Sequence, residues 1–222
     1  ESPGVAIWDV PFADPVARME LHGFAWLDDL AAFGDTKAQE RAQAWTLDWI
    51  ARFGRGKGPG WQPDCIGRRL IRWINHAPML TQALIPERKA VFVANLSAQL
   101  HFLARRWPDA APGLMRTEAL TGIIIAGVML EGMGGLVEPA LRGLAVEVDA
   151  EIDMGGGITS RNPEELLDIF TLLTWAAQAL AEAGRMAAPE HLAAIERIAP
   201  VLRPLRHAGG GLARFPGGGR GA

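Results

Sequence analysis

Arg69, Arg72, Trp73 and His76 recur at three- and four-residue steps in the unusual segment 61–76. On a helix that spacing sets guanidinium, indole and imidazole groups along one side, with Asn75 beside them. Guanidinium forks match carboxylates and sulfates, and an indole face stacks on a sugar ring, so the stripe suits an acidic saccharide. The competing reading puts the tryptophans in the core and pairs the arginines with acids of the next hairpin. A second segment joins Gly155, Gly156 and Gly157 to Arg161, Asn162 and Pro163. Its glycines permit unusual backbone, and the helix start that follows offers N–H groups to an anion. The alternative is a plain turn in which Asn162 only caps. Without a phosphate-loop lysine or a preceding strand, a nucleotide site is disfavoured.

Other polar residues carry less. His22, His101 and His191 sit at no ligand spacing and read as hydrogen-bonded structural residues, while His207 falls beside a domain junction. The acid pairs Asp28–Asp29 and Glu164–Glu165 are adjacent in sequence, hence on different helix faces, and form no catalytic dyad. The single Cys65 excludes an internal disulfide and a cysteine-rich zinc site. With no tyrosine in the chain, no phenol among these residues can serve as acid or base. No metal or cofactor is called for.

Helices must position these groups. Asp14 before Pro15 starts the first, and Gly34 with Asp35 closes it and opens the second, which carries Trp45, Trp49 and Phe53. The third runs from about Asp64 past Trp73. The fourth follows Pro86 and shows Val93, Leu96, Leu100 and Leu103 on one face. A fifth, apolar nearly all round between residues 120 and 130, belongs between neighbours, and a sixth spans about 136–152. Asn162, Pro163, Glu164 and Glu165 start the seventh, and Pro189 the eighth, which Pro200 and Pro204 interrupt. No run alternates long enough to require a strand. Eight helices with short connections make antiparallel hairpins, arranged as an open solenoid or a ring.

The 222 residues, 49% hydrophobic and 21% charged, fit one sizeable domain or two small ones. A net charge of -3 removes the field of a general nucleic-acid binder. The longest apolar stretch, near 122–130, is about half of the ~20 residues that span a bilayer, so no membrane span is expected. The chain begins at Glu1 rather than at a methionine, so its start reads as cut and does not speak for or against a signal peptide, and residues 208–222 are mostly glycine and read as a linker into a further domain.

Three segments together carry a resemblance. Trp61-x-Pro63-x-x-x-Gly67-Arg68-Arg69-Leu70-Ile71-x-Trp73 is followed by Gly156-Gly157-x-x-Ser160-Arg161-Asn162-Pro163 and by Arg206-His207-x-Gly209-Gly210-Gly211-Leu212. With Trp26-Leu27, this ordered pattern resembles the bacterial heparinase II/III-like proteins. The resemblance implies an all-α fold, an incomplete (α/α) toroid of antiparallel helical hairpins over residues 1–207. It further implies that 208–222 leads to a C-terminal β-sandwich absent from this chain, and a periplasmic or envelope location. The implied activity is lyase-type β-elimination on, or binding of, an acidic uronic-acid polysaccharide such as a glycosaminoglycan.

Departures from the pattern matter as much. Where lyases of that family place an asparagine and often a histidine at a helix start, the nearest residues are Leu114 and Met115. Where they place a tyrosine after the glycine-rich loop stand Glu165 and Leu166. No catalytic residue is therefore assigned. The expected ligand-binding set is Arg69, Arg72, Trp73 and Arg161, with Asn75, His76 and Asn162 added on physical grounds. The competing functions are a non-catalytic glycan-binding or envelope-assembly protein, and a helical scaffold gripping a protein partner. The scaffold reading expects an apolar cleft and arginines engaged in internal salt bridges.

Overall fold

A computed structural model describes residues 7–10 and 14–203. Its helices are α1 (Pro15–His22), α2 (Ala25–Phe33), α3 (Thr36–Phe53), α4 (Pro63–Asn75), α5 (Ala77–Thr81), α6 (Pro86–Arg106), α7 (Leu114–Met129), α8 (Val137–Glu151), α9 (Pro163–Glu182) and α10 (Pro189–Leu202). Among the described residues the only β pairing is the isolated bridge between Ile152 and Ile158. The expected motif from Arg206 to Leu212, Pro204 and the linker 208–222 lie outside the described residues.

Local capping sets several starts. Asp14 accepts from the Val16 and Ala17 amides at 2.9 and 3.3 Å, Asp35 from Ala38 at 2.7 Å, and Asn162 from Glu164 at 3.0 Å. Each side chain satisfies amides that the first helical turn leaves without a partner. The helices then form the all-α incomplete toroid, α4, α7 and α9 making an inner row and α3, α6, α8 and α10 packing outside it. Apolar α7 is buried along most of its length, as expected of a helix enclosed by neighbours.

The inner row packs closely where α4 crosses α7. A Cβ on Gly67 would run into the Glu118 carbonyl oxygen, and one on Gly122 would lie 2.6 Å from the Gly67 Cα. Only two glycines let these backbones meet.

Three expectations need correction. The first predicted helix is two, because Phe24 adopts φ 65° and turns the chain so that its ring packs against Trp73, centroids 5.1 Å apart. That burial offsets a left-handed cost of about 1–2 kcal/mol for a residue other than glycine. Val93 is 47% exposed, and Phe92 takes its place beside Leu96, Leu100 and Leu103 on the buried face of α6, which also carries Asn95 and Gln99. Finally, α10 runs through Pro200 to Leu202, since near a helix end one missing amide hydrogen bond is tolerated.

Candidate functional site

Pro63 at the first turn of α4 starts the helix that carries most of the expected site. Its two sides behave differently. Arg69 is wholly buried and donates from Nε to Gln99 Oε1 at 2.7 Å, and from one terminal nitrogen to the His22 and Gly60 carbonyls at 2.8 and 2.9 Å. Its guanidinium carbon lies 4.0 Å from the centre of the Trp49 ring, a cation–π contact inside the core. Burial pulls its pKa down to about 10. Trp73 is equally buried, stacked on Phe92 with centroids 5.1 Å apart. The expectation that Arg69 and Trp73 face a ligand is corrected: both are core residues, drawn inward by carbonyl acceptors and aromatic neighbours.

The outward residues are held by acids. Arg72 Nε meets Asp28 Oδ2 at 2.8 Å and its terminal nitrogen donates to the Gly23 carbonyl at 2.9 Å. His76 Nε2 meets the other oxygen of Asp28 at 2.9 Å. Burial alone would raise the Asp28 pKa, but hydrogen bonds from His76 and Arg72 outweigh it and hold the carboxyl below its ordinary value. Arg68 is gripped by three carboxylates, Asp64 at 2.7 Å, Glu20 at 3.2 Å and Glu118 at 3.7 Å. Burial pushes its pKa down, yet Glu118 and Asp64 more than reverse this and keep it charged.

Two hollows adjoin along Arg68 and Glu118. The first, about 130 Å³, opens between Asp28, Arg72, Asn75, Asp168 and Trp175, whose indole is 44% exposed. The second, about 400 Å³, has an apolar floor of Pro15, Val16, Met19, Leu114 and Met115, and the carboxylates Glu20, Asp64, Glu118 and Glu165 stand around it. Thus Leu114, Met115 and Glu165 come together in one cleft, at the positions where the resemblance expects lyase groups. Around both hollows stand the carboxylates of Asp28, Asp168, Glu20, Asp64, Glu118 and Glu165, against the guanidinium groups of Arg68 and Arg72. Acids prevail, opposite to the wall that a polyanion needs.

Arg161 and Asn162 are elsewhere. They line a third hollow of about 470 Å³ with Asp153, Leu166 and Val201, apart from Arg72 and Asn75. The loop amides are used within the loop, Asp153 Oδ1 accepting from Gly155 and Gly157 at 2.7 and 2.9 Å and Glu151 from Thr159 at 3.1 Å, and of the helix-start amides expected to hold an anion that of Glu164 is taken by Asn162. Glu165 accepts from the Ser160 hydroxyl at 2.6 Å, and Asn162 caps α9. The loop is a self-satisfied turn, with Gly156 at φ 80° where a Cβ would strike the Arg197 carbonyl.

His22 accepts from Trp49 Nε1 at 3.0 Å and is buried beside Arg69; burial first, then Arg69 and Arg18, lower its pKa to about 4. His191 is likewise pushed down by burial. Among the described residues no group of three His, Cys, Asp or Glu side chains is placed to hold a metal ion, and no helix is long and apolar enough to cross a membrane. The sequence reading missed Glu118, Asp168 and Trp175; an acid in the otherwise apolar run of α7 was the available signal for Glu118.

An inner row of helices with an outer row packed on it defines an α/α-toroid protein with an acid-lined cleft. No known protein-family profile matches the chain. It is 32% identical over 212 residues to FtsZ-localized protein C of Caulobacter vibrioides (strain NA1000 / CB15N), covering 93% of this chain and 36% of that protein. Among solved structures, Heparinase III superposes with a TM-score of 0.76 at 15% identity over 93% of this chain and 34% of that one. The heparan sulfate lyase HepC from Pedobacter heparinus gives a TM-score of 0.68 at 18% identity, covering 94% and 35%. At such identities the likeness to the two lyases is one of fold. The chain spans about a third of the length of the proteins it matches.

Proposed function

We propose that this chain is the α-toroid of a heparinase II/III-like protein that localises with FtsZ and grips a partner in the toroid cleft without cleaving polysaccharide. The carrying observation is that the cleft arginines are neutralised within the fold, Arg68 by Asp64, Glu20 and Glu118, and Arg72 by Asp28. A uronate or sulfate chain would have to displace those carboxylates and then face their charge. Leu114, Met115 and Glu165 supply neither the amide nor the phenol that the lyase pattern calls for, and the chain holds no tyrosine. The localisation rests on the relative named as FtsZ-localized. In this reading residues 1–207 form the toroid and 208–222 lead into a β-sandwich.

A second reading keeps a glycan as the ligand. It is favoured by the exposed Trp175 indole beside Asn75 and Arg72, a stacking face next to polar groups. The surrounding acids then suit a neutral or amine-bearing sugar better than a uronate, and the contribution of Arg161 and Asn162 would come from the separate third hollow.

The test is to incubate the full-length protein with heparan sulfate, alginate and glucuronan and follow the ultraviolet absorbance of unsaturated product. The proposal expects none. Steady product formation that disappears on Glu165→Ala would show that the cleft is an active site.

A further inference from the structure

The second hollow has a chemistry of its own. Val16 is 42% and Met115 49% exposed, and both line the cleft with Pro15, Met19 and Leu114. Among the described residues no aromatic ring lines this hollow, so those residues offer no stacking platform for a sugar. Two methionines instead give a pliable, polarizable floor of the kind that accepts aliphatic side chains of varied shape. At about 400 Å³ it lies within the range of ligand-sized clefts.

Its rim sets the sign of the ligand. Among the described residues that line it, the carboxylates Glu20, Asp64, Glu118 and Glu165 outnumber the guanidinium of Arg68. Asp64 and Glu118 are 7% and 8% exposed, so their charge is poorly screened and the low-dielectric walls focus the field into the cleft. A polyanion is repelled, and a purely apolar segment leaves that potential unused.

We infer that this groove between α1, α4, α7 and the start of α9 docks a peptide segment of a partner protein, one with aliphatic anchors flanked by lysine or arginine. The inference rests on the non-lytic reading and names the partner chemistry for the same cleft. Aliphatic side chains occupy the Val16, Met19 and Met115 floor, and flanking cations meet the acidic rim at Glu165. Mutual charge complementarity fixes the direction of preference.

The test is fluorescence anisotropy of two labelled peptides titrated with the full-length protein, one alternating leucine with arginine, the other leucine with glutamate. The basic peptide should bind at least about tenfold tighter than the acidic one, and binding should weaken about tenfold or more in Met115→Lys and in Glu165→Lys. Val16→Lys, on α1, should do the same and keeps the test open if Glu165→Lys disturbs the turn before α9. Absence of basic-peptide binding, equal affinity for both peptides, or affinity untouched by all three substitutions overturns the inference. A dimer dissociated by Met115→Lys, with no peptide binding in either protein, would assign the groove to a second copy and also overturn it. Failure of peptide binding without unsaturated product sinks only the peptide, whereas product formation sinks the non-lytic reading as well.

Discussion

Replacing Arg69 by methionine separates a core role from a ligand-binding role. The change keeps an unbranched stem against Trp49 but removes the guanidinium that serves Gln99 Oε1 and the His22 and Gly60 carbonyls. Leaving three buried acceptors without their donor costs about 1–3 kcal/mol each before relaxation. The loss is offset in part because a buried cation with no carboxylate in contact is itself expensive. A net destabilisation of about 4 kcal/mol follows, which for a domain of this size lowers Tm by about 8–16 °C. Calorimetry of the full-length protein reads it directly. Were Tm to fall by less than about 2 °C while affinity for a saccharide dropped, the assignment of Arg69 to the core would be refuted.

Three more outcomes are expected. His22 has a folded pKa of about 4 against an ordinary 6.5, so its contribution is complete above pH 6.5 and is lost as pH falls toward 4. That slope is worth about 2 kcal/mol after allowance for screening, and His22→Gln should flatten it in denaturant titrations across that range. Gly67→Ala drives a methyl into the α7 backbone at Glu118 and should cost about 2–3 kcal/mol by chemical denaturation, whereas an unchanged midpoint would disprove the close crossing. Asn162→Ala removes the α9 cap and should cost about 1 kcal/mol, with Asn162→Asp restoring it.

Helix starts were legible because capping is local: Asp14, Asp35 and Asn162 each act within three residues of themselves. The left-handed Phe24 was not, because only the aromatic cluster that receives its ring makes that backbone worthwhile. Spacing correctly gathered Arg69 and Arg72 on one helix, whereas His76 falls in the turn that ends it, and spacing alone does not say which guanidinium goes inward. Arg69 does so because carbonyls from His22 and Gly60 converge on it; Arg72 stays out because Asp28 waits there. The cleft's acid character was hidden for a related reason. Glu20, Asp28, Glu118 and Asp168 come from four helices that meet only in the fold.

Carboxylates, rather than free cations, face the cleft. Calorimetric titration of a heparan sulfate oligosaccharide into the full-length protein at low ionic strength tests this most directly, because low salt favours any attraction between opposite charges. No saturable heat is predicted for the wild type. Saturable binding that Arg72→Ala abolishes would contradict it.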